Sequence, residues 1–210
     1  MKNLLIIILF LATLTSGFSQ NDFSFGLKGG VNFSDVSGLP AEVTKGKIGY
    51  HVGIVTNFGL TEKLSLQPEL LYSRQGFKNS EIELRFENDQ APVVFDLNSH
   101  LDYLNIPVLL SFEAADGLSL QGGPQIGIGI GSSTTVGNVL QGSESDIPDA
   151  FLVTGLSTNT IEVGFTAGIE YLFGDHLFAQ ARYVIGFTEV FEGGNDRNNR
   201  NGQVSVGYKF

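Results

Sequence analysis

The chain ends on GQVSVGYKF, residues 202–210. Val204, Val206, Tyr208 and Phe210 share one face of an extended strand, and Gln203, Ser205, Gly207 and Lys209 share the other, because successive strand side chains point to opposite sides. Chain ends usually fray. This one carries strand periodicity to its last residue, which predicts a final strand that is paired along its whole length.

Working back from that end, the same period of two recurs seven more times. The segments are LFAQARYVIGF (177–187), IEVGFTAGIEY (161–171), LSLQGGPQIGIGIG (118–131), YLNIPVLLSF (103–112), LSLQPELLYSRQG (64–76), IGYHVGIVTNF (48–58) and FSFGLKGGVNF (23–33). Eight strands are therefore expected. Their connections alternate in length. GLTEK (59–63), EAADG (113–117) and FGDH (173–176) are short polar turns. The other four, near 34–47, 78–100, 132–160 and 190–201, are long. With antiparallel neighbours, the long loops leave at one end and the short turns and both termini lie at the other. An even number of strands, roughly ten residues each, with this asymmetry of loops, predicts an all-β fold: a closed eight-stranded antiparallel up-and-down transmembrane β-barrel.

Alternation by itself does not say which face is outside, since a soluble ligand-binding barrel alternates too. The polar face decides. It carries six charges, Lys28, Glu69, Glu162, Glu170, Arg182 and Lys209, three of each sign. The rest is mostly Gly, Ser, Gln, Asn and Thr, with apolar exceptions at Val55, Leu71 and Val184. A soluble exterior would be dense in Lys and Glu. A narrow lumen should instead be small, polar and charge-balanced. The apolar face is therefore assigned to lipid. Glu170 and Arg182 are expected to meet diagonally across the hairpin of the sixth and seventh strands.

The first twenty residues, MKNLLIIILFLATLTSGFSQ, read differently. One positive charge at Lys2, an apolar run over Leu4–Leu14 and small residues before Gln20 have the layout of a secretory signal peptide. The run is about half the ~20 residues of a spanning helix. Residues 1–19 are thus expected to be removed, leaving 20–210 as the outer-membrane barrel domain. The 210-residue chain contains 27 Gly and 17 Phe, no Cys and no Trp. The missing cysteine removes disulfides and sulfur ligands. A net charge of −10 argues against nucleic acid, which needs a basic face.

Several stretches together resemble a known family. LSLQPELLYSRQG (64–76), YLNIPVLL (103–110), LQGGPQIG (120–127), ARYVIGF (181–187) and VSVGYKF (204–210) are similar to the PorT-type outer-membrane β-barrel family of Bacteroidota. The terminal Phe210 with Val204, Val206 and Tyr208 before it resembles the signal read by the barrel-assembly machinery of the outer membrane. The resemblance implies an outer-membrane location and an eight-stranded barrel. One relative is similar to a component needed for protein secretion, a role that the resemblance does not carry over to this chain.

No catalytic constellation, cofactor site or metal site emerges. His51 is expected in the lumen, His100 in a loop and His176 in a short turn, too far apart for a shared site. Glu162 and Glu170 share a face, but eight strand residues separate them by ~26 Å, too far for an acid/base couple. IGIGIGS (126–132) lacks the helix of a phosphate loop. The long loops are acidic: Glu81, Glu83, Glu87, Asp89 and Asp96 stand against Arg85 in one, and Glu144, Asp146 and Asp149 lie in another. EIELRFE and APVVFDL, within 81–97, are expected to form a hairpin above the membrane. The functional expectation is a non-enzymatic barrel with a filled lumen. Its loops would contact lipopolysaccharide, a surface ligand or another envelope protein. A narrow ion or small-solute pore, a secretion-system component and a soluble lipid-binding barrel are the alternatives.

Overall fold

The computed structural model describes residues 23–36, 44–85, 92–143, 147, 161–189 and 198–210. The expected signal segment and its cleavage point before Gln20 lie outside the described residues. Eight strands follow one another: β1 (Phe23–Val36), β2 (Thr44–Gly59), β3 (Leu64–Leu84), β4 (Val93–Ala115), β5 (Leu118–Gln141), β6 (Ile161–Phe173), β7 (Leu177–Glu189) and β8 (Asn198–Lys209). Each pairs antiparallel with the next, and β8 returns to β1, so the sheet closes into a barrel.

The apolar face is the outer one. Phe25 and Ile54 are each 37% exposed, whereas Lys28 and Arg182 are 3% and 5% exposed. Every strand contributes apolar side chains to this belt, from Leu27 on β1 to Val206 on β8. A continuous apolar girdle of that size suits hydrocarbon rather than water.

Closure runs from Gly26↔Lys209 to Val36↔Asn199. Beyond it, the Phe210 amide donates to the Phe25 carbonyl at 2.7 Å, and the two rings stack 5.9 Å apart. The periodicity of the C-terminus thus has a physical cause. An unpaired backbone group in lipid costs several kcal/mol, so the seam is hydrogen-bonded to its last residue. Two glycines make room inside. A Cβ on Gly207 would lie 2.2 Å from the Phe178 ring, and one on Gly168 would lie 2.6 Å from Arg182 Cγ. Val55, Leu71 and Val184 point inward and are buried.

Three strands are much longer than a bilayer needs. β3, β4 and β5 have 21, 23 and 24 residues, against 12 to 16 in the others. A spanning strand takes about 9–11 residues, so their surplus projects past the long-loop end. The expected hairpin is present, with Ile82↔Phe95 and Leu84↔Val93 in register. A third strand joins it through Phe95↔Val139 and Leu97↔Val136, where a loop was expected from Ser132 onward. This extension has its own core of Val93, Phe95 and Ile147, packed against Ile82, Leu84, Leu97, Val136 and Val139.

Candidate functional site

All six charges assigned to the polar face point into the lumen. Five of them share one network. Arg182 on β7 forks onto Glu69 of β3, with Nη1–Oε2 and Nη2–Oε1 both 2.8 Å. Lys28 on β1 donates to the same Glu69 at 2.7 Å. One carboxylate therefore serves two cations, and Gln67 adds a third donor at 2.8 Å. Glu170 on β6 takes Lys209 of β8 at 2.5 Å, Gln121 of β5 at 3.0 Å, and Gln180 of β7. Gln121 links the halves by accepting from Arg182 Nη2 at 2.6 Å, and Gln180 does so by accepting from Lys28 at 3.1 Å. Side chains from six of the eight strands thus fill the cross-section.

The expected diagonal pair of Glu170 with Arg182 is not what forms. The register sets Glu170 beside Gln180 and Arg182 beside Gly168. Arg182 then crosses the lumen to Glu69, while Glu170 is met by Lys209 from β8, one strand beyond β7. Gln67, Gln121 and Gln180 complete the network without having been singled out from sequence. Their signal was available: a buried charge needs further hydrogen-bonding partners, and these are the long amides on the lumen face beside the charges.

The sixth charge stands apart. Glu162 accepts from Asn199 Nδ2 at 3.2 Å, and Asn199 also donates to Gln75 at 2.6 Å. Between the two groups lies His51, buried as expected, with Nδ1 2.8 Å from Asn32 Oδ1 and Nε2 2.7 Å from Ser205 Oγ. Asn32 Nδ2 donates to two carbonyls, so its Oδ1 faces the ring. Nδ1 therefore carries a proton, and Nε2 pairs with the Ser205 hydroxyl. His100 lies in β4 rather than in a loop, and His176 sits in the β6–β7 turn. Among the described residues no three His, Asp or Glu side chains gather as a metal site.

The far rim holds a second set of charges, on the outer wall. Tyr50 and Tyr72 pack 6.0 Å apart, and the Tyr72 hydroxyl donates to Asp102 Oδ1 at 2.8 Å. Arg74 Nε is 3.2 Å from the same oxygen. Lys47 Nζ lies 3.4 Å from His100 Nδ1. Above this rim, burial and then the Lys47 and Arg74 charges hold His100 below its ordinary value.

Higher still, Asp96 is no solvated loop acid. It is buried, pairs with Lys78 at 2.7 Å and accepts from the Glu81 amide at 3.1 Å. That bond sits at a bulge between Asn79 and Ile82, where Glu81 adopts a φ of 58°. Glu83 pairs with Arg85 at the surface. Glu87, Asp89, Glu144, Asp146 and Asp149 lie outside the described residues.

A closed barrel with a lipid-compatible belt, a plugged polar lumen and long strands at one end defines an outer-membrane β-barrel protein. Residues 18–192 match the family described as the outer membrane protein beta-barrel domain, and the chain belongs to it. Among solved structures it is similar to Ail, the attachment invasion locus protein of Yersinia pestis, at 12% identity over 91% of this chain and 100% of that one, with a TM-score of 0.47. It is also similar to Neisserial surface protein A, at 17% identity over 91% and 98% of the two chains and a TM-score of 0.45. For the outer membrane protein OprG from Pseudomonas aeruginosa, the values are 10%, 91%, 98% and 0.41. No match is found among curated proteins.

Proposed function

We propose that the protein is a non-enzymatic outer-membrane barrel that binds a surface partner through its extracellular strands and loops and conducts no bulk solute. The observation that carries this is the lumen network: Lys28, Glu69, Gln121, Glu170, Gln180, Arg182 and Lys209 join six strands across the bore. With the bore occupied, the surface left for recognition among the described residues is the three-stranded extension of β3, β4 and β5. Its own apolar core gives it a fixed shape, and Glu81, Glu83 and Arg85 line its turn side. Partner capture tests the reading. Intact cells or envelopes are probed with wild-type protein and with a variant in which residues 80–97 are replaced by a short Gly-Ser turn. Loss of a captured envelope protein or surface ligand in the variant is expected; unchanged capture would refute the role of the extension.

The resemblance to PorT-type barrels of Bacteroidota suggests a component of an envelope secretion system as the partner. Comparing secreted proteins from deletion and wild-type strains tests that choice. Export through cleavage before Gln20 is checked by the N-terminal residue of the mature protein. Val204, Val206, Tyr208 and Phe210 serve as the barrel-assembly signal in this reading, and their outward position on β8 leaves them accessible to the machinery before the seam closes.

A narrow pore is the second reading. A polar vestibule of about 180 Å³ opens at the short-turn end, lined by Asn57, Ser65, Ser111, Ser119, Glu170 and Lys209 among others. Planar-bilayer conductance that changes in Glu170→Gln and Arg182→Gln would favour it.

A further inference from the structure

We propose that the outer wall of β2–β4 at the extracellular rim holds the phosphate of an outer-leaflet lipid, with Lys47, Arg74 and His100 as the donors. The proposal rests on the outer wall facing lipid and is independent of what the loops bind.

The height is set by Tyr50 and Tyr72, whose amphipathic rings belong at the boundary between hydrocarbon and headgroups. Arg74 is the next outward residue above Tyr72, in register with Tyr50 on one side and Asp102 on the other. His100 is the next outward residue above Asp102, opposite Gly76. Lys47 reaches His100 from the far side of β3. Gly76 has no side chain to obstruct that reach, and the register shift between Gly46 and Tyr50 frees Lys47 from strict pairing with β3.

Among the described residues the charges at this spot do not balance. The carboxylate facing Arg74 and His100 is Asp102, and its Oδ1 already accepts from Tyr72 at 2.8 Å. Arg74 Nε approaches that oxygen to 3.2 Å without the alignment of a hydrogen bond. Other rim cations have acids at hand: Lys78 is paired with Asp96, and Arg200 stands in register with Asp35. Lys47 is held below its ordinary value, first by burial and then by Arg74. Two cations and an imidazole are thus pressed together with too little negative charge between them. An anion would relieve that crowding, and a guanidinium fork suits phosphate oxygens. The donors lie on the wall at headgroup height, where the phosphates of the surrounding lipid are the anions within reach.

The full mature chain is refolded into phosphatidylcholine vesicles with or without one-tenth phosphatidic acid, which supplies a phosphomonoester. Co-purified lipid is quantified after detergent extraction, and flotation verifies membrane insertion separately. Wild type is expected to retain phosphatidic acid. Arg74→Gln and Lys47→Gln should each weaken retention roughly tenfold, the loss of about one charge-assisted hydrogen bond, and Arg74→Lys should lose less. Lys63→Gln, at the opposite end, should behave as wild type. If Arg74→Gln fails to insert, Lys47→Gln decides. Equal retention by wild type and Lys47→Gln would overturn the proposal, as would inorganic phosphate alone competing the lipid away at low millimolar concentration. Flotation failing in wild type would instead overturn the membrane assignment itself.

Discussion

The part of the molecule within the membrane and the part above it are built inside out with respect to each other. In the barrel, charges and amides sit at the centre and Phe, Ile, Leu and Val face outward. In the extension, Val93 and Phe95 are buried and Glu83 and Arg85 lie at the surface. The same three strands, β3, β4 and β5, do both within one continuous run. The hydrophobic effect drives the upper part together because water surrounds it. Around the barrel, lipid is as apolar as the side chains, so that driving force is missing between them. Satisfied hydrogen bonds and paired charges must hold the centre instead.

The largest effect should come from splitting the lumen network. Glu69→Ala leaves Lys28 and Arg182 buried without their shared carboxylate, which should cost about 3–5 kcal/mol. Urea unfolding of protein in vesicles would show it as a fallen midpoint. A variant replacing Lys28, Glu69 and Arg182 together by Met, Leu and Met should recover much of that loss, since the cost lies in the uncompensated charge. Phe95→Ala comes next, at about 3 kcal/mol, but confined to the extension. Trypsin should then cut after Lys78 while an unboiled sample keeps the faster gel mobility expected of a folded barrel. If that mobility collapsed too, the two regions would be one cooperative unit.

Removing Phe210 deletes one hydrogen bond to Phe25 and a ring stack, and should lower the refolded protein's stability by about 1 kcal/mol. The smallest effect is a pH dependence at the rim. His100 is held below its ordinary value in the folded chain, so the unfolded chain binds its proton more readily. Stability is then full above about pH 6.5 and declines as pH falls below it. His100→Gln should flatten that decline in phosphatidylcholine vesicles, and phosphatidic acid should shrink it in the wild type by favouring the imidazolium.

The two regions also differed in how far sequence could read them. The barrel was legible because its two faces meet opposite environments, so Val204 to Phe210 alternate without a break. The extension was half legible. EIELRFE and APVVFDL announced a hairpin, but SSTTVGNVLQ on β5 carries few apolar residues and lies largely exposed, so period two is faint there. Bulges between Asn79 and Ile82 and around Phe95 break the alternation further. Within the lumen, sequence supplied the face but not the partner. Arg182 and Glu69 are 113 residues apart, and their meeting depends on how the closed sheet curls. Asp96 is illegible for a related reason: its burial depends on Lys78 and the bulge at Glu81, neither of which the alternation of its own strand reveals.

The hydrogen bond between the first and last strands sets an order of events. Because the seam is made by residues 198–210 against residues 23–36, no growing chain can close the cylinder before β8 has been made. A chain lacking either of these strands is an open ribbon with two unpaired edges. Both must be present before the cylinder can close, so closure is all or nothing and quality control can be reduced to one check, whether the two strands have joined.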